Sequence, residues 1–330
     1  MLLRWLARRR YEAAIGEAAE HEEQRRSGEA RAALVRALAD AERAFGREHH
    51  EVGCVRYALA ASLLAAGEID AAIPIAERAA ETLAKNVGGP FAAGDPTEAS
   101  ARALIAAALD RAGADDERQR AALTEWADAA RRCGDDEGAG SAENQLGLLE
   151  GRAGRREAAS EHFGRALEHR ERAHGPRAIA TLETMYNRAT FRSAERSLTD
   201  VERDLSSVID ALDGKTGTRE GELLESALHN LAVLFEERAD DDRALTLYQR
   251  SLKAREARLG PMSRELRPTL ARLAQLHHRA GRVVHALPFY DRALSLARAE
   301  LPDDHPVVVA LAAWRAELTE GVGPTALARR

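Results

Sequence analysis

The feature that most constrains this chain is a pattern written twice between Leu228 and Pro306, with the copies 42 residues apart. In each copy a Leu-Ala pair is followed by an alanine, a tyrosine and a closing Leu-Gly or Leu-Pro. The paired positions are Leu231-Ala232, Ala244, Tyr248 and Leu259-Gly260 in the first copy, and Leu273-Ala274, Ala286, Tyr290 and Leu301-Pro302 in the second. An internal period of roughly 20 to 50 residues is typical of stacked supersecondary units, which usually present binding surfaces.

Each copy has the spacing of two helices. Apolar residues recur every three or four positions on both sides of a polar turn at 238–242, whose aspartates are placed to cap the second helix. Two helices joined by so short a turn must be antiparallel. Small residues such as Ala232 and Ala244 would allow the helix axes to approach to roughly 8–10 Å, and Tyr248 would fill the remaining space. Gly260-Pro261 would end the second helix.

These residues resemble the tetratricopeptide repeat, in the 42-residue form similar to kinesin light chain repeats. The motif residues of that family are matched by Asn230-Leu231-Ala232, Ala244, Tyr248, Leu252, Glu256, Leu259-Gly260, Tyr290, Ala293-Leu294 and His305-Pro306. The resemblance implies an all-α fold: a right-handed superhelical solenoid of about seven antiparallel helix pairs with a C-terminal capping helix.

We expect one solenoid over residues 1–330. Its parts would be a basic N-terminal segment at 1–10, divergent repeats one to three at 11–134, repeats four to seven at 138–302, a capping helix at 306–320 and a tail at 321–330. The fifth repeat departs from the pattern, because Arg188 replaces the usual leucine. Residues 88–96 and 133–141 are the expected joints, since both are rich in residues that interrupt helices.

Composition and charge narrow the function. Aromatic residues are only 4% of the 330, which suits a helical array packed by alanine, and the net charge of −6 argues against a nucleic-acid-binding protein. No apolar run is long enough to cross a membrane. The first ten residues could either lie on an anionic membrane surface or cover the first repeat. Two distant cysteines suit a reducing compartment, and we expect a cytoplasmic protein.

The sequence offers no catalytic, cofactor-binding or metal-binding motif. There is no phosphate-binding glycine loop, no His-Glu-x-x-His and no Gly-x-Ser-x-Gly. His162 and His169 could share a helix face, although solvated histidines are the more common explanation. Acidic runs at expected turns, among them Asp115, Asp135, Asp240 and Asp303, are interpreted as helix caps and solvated turn residues.

The leading hypothesis is a non-enzymatic scaffold that binds a peptide or protein partner in a concave groove. The groove positions that the resemblance implies are Asn187, Thr190, His229, Asn230, Val233, Glu236, Glu237, Arg272, Gln275, His278 and Arg279. Asn230 is expected to bond a ligand backbone, and Arg272 and Arg279 to favour an acidic segment. The alternative is an adaptor that links a cytoskeletal or membrane structure to a cargo, through the basic N-terminus and the groove. The partner and the oligomeric state stay open.

Overall fold

The computed structural model describes residues 2–24, 26–86, 94–191, 198–215 and 217–320. The described residues form fifteen α-helices and no β-strand. The helices are α1 Leu2–Glu23, α2 Ser27–Phe45, α3 His50–Ala65, α4 Ile69–Lys85, α5 Pro96–Ala112, α6 Asp116–Cys133, α7 Asp136–Arg152, α8 Arg156–His174, α9 Ile179–Thr190, α10 Leu198–Leu212, α11 Thr218–Glu237, α12 Asp241–Leu259, α13 Arg267–Arg279, α14 Val283–Arg298 and α15 Pro306–Glu320. Seven pairs followed by one further helix confirm the predicted all-α repeat fold.

The chain divides into two compact units, residues 1–184 and residues 185–330. In the first unit each helix from α1 to α8 packs on the next, and in the second unit the same holds from α10 to α15. The single solenoid expected over the whole chain stays a prediction. The expected tail at 321–330 lies outside the described residues, and so does most of the expected joint at 88–96.

Two helix boundaries differ from the sequence expectation. The basic residues up to Arg10 belong to α1, which begins at Leu2 and has no break before Tyr11. The expected joint at 133–141 is a turn between α6 and α7 in which Gly134 has a φ of 74°. Asp135 then caps α7, because its carboxylate accepts a hydrogen bond from the Gly138 backbone N–H at 2.8 Å. A tight, capped turn therefore replaces the expected joint.

Helix capping explains most of the acidic turns. Asp115 accepts from the Arg118 backbone N–H at 2.9 Å, and Asp240 accepts from that of Arg243 at 3.2 Å. These contacts confirm the prediction for the starts of α6 and α12. At α15 the cap is His305, whose Nδ1 accepts from the Val307 N–H at 3.2 Å. Asp303 is exposed and pairs with Arg298 at 2.9 Å, which agrees with the predicted solvation of these acids.

A buried aromatic residue at the same register fills three of the helix pairs. Phe163, Tyr248 and Tyr290 are at most 1% exposed and lie in α8, α12 and α14. Facing Phe163 in α7 is Gly147, where the later repeats have alanine. A Cβ at Gly147 would lie 2.7 Å from the Phe163 ring, closer than van der Waals contact allows. The glycine is therefore required by the close approach of the ring.

The irregular fifth repeat is held by an ion pair where the family has a leucine. Arg188 of α9 donates two hydrogen bonds, each 2.9 Å long, to the Asp204 carboxylate of α10. The Asp204 side chain is 8% exposed and that of Arg188 is 26% exposed. The bidentate geometry holds α9 and α10 together, so this pair replaces an apolar contact with a directional one.

Successive repeats are joined twice by the same arginine and threonine contact. In the first unit Arg170 Nη1 donates to the Thr184 hydroxyl at 2.7 Å and to the Ala180 carbonyl at 2.6 Å. In the second unit Arg255 Nη1 donates to the Thr269 hydroxyl at 3.3 Å and to a backbone carbonyl at 3.4 Å. Both threonines are fully buried. Each contact ties the second helix of one pair to the first helix of the next.

Candidate functional site

The eleven predicted groove residues all lie on the first helices of the last three pairs, in the 185–330 unit. Asn187 and Thr190 are on α9, His229 to Glu237 on α11, and Arg272 to Arg279 on α13. Asn230 and Arg272 occupy the same register 42 residues apart, as do Glu237 and Arg279. We call the surface formed by these eleven residues the first-helix face. Its residues are half-buried or exposed, which a binding surface requires.

Asn230 connects α11 to α9. Its side-chain nitrogen donates to the Tyr186 hydroxyl at 3.2 Å and to the Thr190 hydroxyl at 3.3 Å. Thr190 in turn donates to the Tyr186 backbone carbonyl at 2.9 Å. The structure thus brings two predicted residues together and adds Tyr186, which the sequence reasoning missed. The four-residue separation of Tyr186 and Thr190 on one helix was the signal that could have found it.

Glu236 connects α11 to both α12 and α13. Its carboxylate accepts from the Tyr248 hydroxyl at 2.7 Å and contacts Arg279 Nη2 at 3.5 Å. Burial, and next the bond to Glu236, raises the pKa of Tyr248. Arg279 also donates two bonds to Asp241, at 3.0 and 2.6 Å, and the carboxylate raises the pKa of the guanidinium. The charge of Arg279 is therefore largely neutralised by two acids.

His229 and Arg272 form the other half of the face. The His229 ring meets the edge of Tyr248 at a centroid distance of 5.3 Å. Its Nδ1 is buried and has no hydrogen-bond partner among the described residues. Burial, followed by the charges of Arg255 and Arg272, lowers the pKa of His229, so the ring is neutral at pH 7. Arg272 is exposed and has no ion-pair partner within the described part of the chain.

The remaining predicted residues complete the surface. Val233, Gln275 and His278 are half-buried, and the His278 ring lies 6.4 Å from that of Tyr290. Asn187 is half-buried, and Glu237 is exposed. The face thus has a neutralised side around Glu236 and Arg279 and a cationic side around Arg272.

A cysteine, a histidine and an aspartate come together in the first unit. Cys54 Sγ lies 3.7 Å from His50 Nδ1, and His50 Nε2 lies 2.8 Å from Asp95 Oδ2. A nucleophilic cysteine requires a thiolate, which a lowered pKa favours. Here burial, and next the charge of Asp95, raises the pKa of Cys54 to about 11. The thiol is therefore protonated at neutral pH and unsuited to nucleophilic chemistry.

The same described ranges contain neither a metal-binding cluster nor a membrane span. No three His, Cys, Asp or Glu side chains in those ranges converge in a way that could hold a metal ion. None of the helices α1 to α15 combines the length and the apolar character that crossing a bilayer demands.

Comparison with known families decides the identity of the repeats. A sequence model described as "Tetratricopeptide repeat" matches residues 223–299, and a second with the same description matches residues 143–177. Residues 143–177 and 223–299 are tetratricopeptide repeats. The matched ranges contain α12 to α14 and α8 in full, together with most of α7 and α11. They include the three pairs with a buried aromatic residue.

Solved structures show the same fold at low sequence identity. BtubC (BKLC) from P. vanneervenii is 21% identical, with 70% of this chain and 91% of that chain covered at a TM-score of 0.55. The quorum sensor NprR from B. thuringiensis, in its apo form, is 12% identical, with 94% and 81% covered at 0.54. The apo form of RapI is 12% identical, with 87% and 97% covered at 0.55. No curated protein matches the chain by sequence.

Proposed function

We propose that this tetratricopeptide-repeat protein is a non-enzymatic scaffold that binds a peptide or protein segment along the first-helix face. The observation that carries the proposal is the state of Arg272. It is exposed and has no ion-pair partner in the described ranges, whereas Arg279 on the same helix is held by Asp241 and Glu236. A guanidinium left without a carboxylate is available to a partner.

The neighbours of Arg272 favour a segment that carries an acidic residue. The cationic side of the face also contains the neutral ring of His229, whose pKa is lowered partly by Arg272 itself. A carboxylate bound there would relieve the repulsion between Arg272 and a protonated His229. Close by, the Asn230 amide nitrogen is occupied by Tyr186 and Thr190, so its carbonyl is the group left to accept a backbone N–H.

The adaptor hypothesis gains no support from the described residues of α1. Arg8 donates to Glu12 at 3.1 Å within the same helix, and Ala7, Ala14 and Ala18 are buried. These contacts favour a helix that covers the first repeat over one that lies on a membrane. Flotation with anionic vesicles tests the point, since equal binding by the full chain and by a chain starting at Tyr11 would exclude the membrane role.

The test of the proposal is a matched pair of charge reversals. A partner is first recovered from the source cell by pull-down and identified by mass spectrometry. Calorimetry then compares Arg272→Glu with Lys253→Glu, which makes the same charge change at an exposed position on α12. We expect Arg272→Glu to weaken binding at least tenfold, about 1.4 kcal/mol, and Lys253→Glu to change it less than twofold. Equal affinities for both variants would mean that the partner uses another surface.

A further inference from the structure

The C-terminal end of the second unit contains a cleft that the first-helix face does not use. It lies between the start of α13, with the 3₁₀ turn Arg264–Leu266 that precedes it, and the N-terminal half of α15. Its volume is about 770 Å³, within the range of small-molecule sites. The floor and walls are apolar and include Ala271, Leu301, Ala310 and Trp314.

The cleft exists because the seventh repeat differs from the sixth at one register. His229 of α11 packs its ring against Tyr248, and the residue 42 positions later is Ala271 of α13. The alanine leaves open the space that an imidazole fills in the preceding repeat. Helix α15 forms one wall of the cleft with Ala310, Leu311 and Trp314 but does not fill it, and the Trp314 ring also packs against Tyr290 at a centroid distance of 6.2 Å.

The acid and the base of an ion pair at the mouth of the cleft exchange positions between the sixth and the seventh repeat. In the sixth repeat Glu225 of α11 is buried and accepts two bonds of 2.9 Å from Arg258 of α12. In the seventh, Arg267 stands at the register of Glu225, and Glu300 at that of Arg258. Their separation is 3.8 Å, too long for a hydrogen bond. Arg267 Nε donates to the Arg264 backbone carbonyl at 3.2 Å, and the Nη2 side of the guanidinium is only loosely held by Glu300.

A second arginine at the mouth is less constrained still. Arg264 is exposed and has no ion-pair partner in the described part of the chain. The acidic residue lining the mouth is Glu265. The hydrogen bond to Glu225 is the main cause that raises the pKa of Arg258, and the charge of Glu265 adds to it. Two arginines thus stand beside an apolar cavity, and the bond from Arg267 Nε is the one hydrogen bond that their guanidinium groups donate among the described residues.

From this geometry we infer that the cleft binds an amphipathic carboxylate, a molecule with an alkyl or aryl body that ends in a carboxylate. The apolar floor would contain the body, and Arg264 and Arg267 would bind the carboxylate at the mouth. A peptide strand fits less well, because the lining has no amide or hydroxyl side chain to bond its backbone. The first-helix face, with Asn187, Thr190, Asn230 and Gln275, has such groups.

The experiment is calorimetry on the full chain with decanoate, below its micelle concentration, and with decyltrimethylammonium as the probe of opposite charge. We expect decanoate to bind one-to-one and at least tenfold more tightly than the cationic probe. Arg267→Met should weaken decanoate binding about tenfold. Ala271→Trp and Ala310→Phe fill the cleft from opposite walls, and each should abolish binding. Thermal melts show whether each variant keeps the fold. Because the two substitutions lie on different walls, the other variant still provides the test if one fails to fold.

Three results would overturn the inference. The first is decanoate binding that survives both cavity-filling substitutions in folded protein. The second is equal binding of the anionic and cationic probes. The third is a protein partner that displaces decanoate and is lost in Ala271→Trp, which would make the cleft part of a protein interface. Loss of partner binding in Arg272→Glu with unchanged decanoate affinity would show that the two sites are separate.

Discussion

Replacing Arg188 by leucine restores the residue that the repeat family prefers, yet we expect it to destabilise this protein. Removal of one partner from a buried ion pair costs roughly 3–5 kcal/mol, whereas an exposed pair contributes about 1 kcal/mol or less. Asp204 is 8% exposed and Arg188 26%, so the pair lies between these limits. We therefore expect Arg188→Leu to lower the free energy of unfolding by about 2–3 kcal/mol, because the buried Asp204 carboxylate would lose both hydrogen bonds from Arg188.

The double variant separates this explanation from a simple packing defect. Arg188→Leu with Asp204→Leu replaces the pair by apolar side chains and should lie within about 1 kcal/mol of the parent chain. Asp204→Leu alone should cost only about 1 kcal/mol, since the long Arg188 side chain can extend to solvent. A matched control is Arg203→Leu, because Arg203 pairs with Asp200 on α10 at the same 2.9 Å but is 68% exposed. Its cost should be about 0.5 kcal/mol or less.

Urea unfolding followed by circular dichroism measures these differences. Because repeat arrays can unfold in parts, amide hydrogen exchange of α9 and α10 supplies the local value. The reasoning is refuted if Arg188→Leu is as stable as the parent, or if the double variant is as unstable as Arg188→Leu alone.

Two further predictions concern the buried side chain of His277 and the packing of the last helix, α15. Burial, and next the charges of His285 and Arg282, lowers the pKa of His277 below its ordinary 6.5, so the unfolded chain binds the proton more readily. The contribution of His277 to the free energy of unfolding should be constant above pH 6.5 and fall as the pH drops below it. Between about pH 7.5 and about pH 5.5, the urea midpoint should therefore fall less in His277→Phe than in the parent chain. An equal fall in both chains would contradict the role given to His277. A chain ending at Asp304 loses the buried Val308, Leu311 and Leu318 of α15. It should have a lower melting temperature than the parent chain and should self-associate, as measured by light scattering. A monodisperse chain with the parent melting temperature would show that α15 is not a cap.

Sequence periodicity was sufficient to predict the helix pairs, because the apolar spacing of a helix depends only on residues that are close in sequence. The end of α12 at Leu259 and the extent of α15 from Pro306 to Glu320 were predicted from apolar spacing, glycine and proline alone. The continuity of α1 from Leu2 to Glu23 was not, since the first ten residues were expected to form a segment separate from a helix beginning at Tyr11. The pairing of Arg188 with Asp204 was also missed, because the partner lies on a different helix.

The candidate site was predicted as a surface but not as a set of contacts. Helical register placed Asn230, Glu236 and Arg279 on the same helices that the structure shows. Register does not reveal which side chains satisfy each other across repeats, and both Asn230 and Arg279 proved to be engaged. That engagement moves the expected acidic contact from the two arginines to Arg272, and its role in binding stays a prediction.

The arginine and threonine joints have a consequence for how such a chain can change length. Arg170 and Thr184 are 14 residues apart, and so are Arg255 and Thr269, with the two sets offset by 85 residues, the length of two repeats. A chain shortened by that block would bring Arg170 into the same relation to Thr269 that it now has to Thr184. Addition or removal of two repeats at this point leaves the donor, the acceptor and their separation unchanged. Recombination at this joint can therefore alter the number of repeats while keeping the arginine and threonine contact between the helices that it brings together.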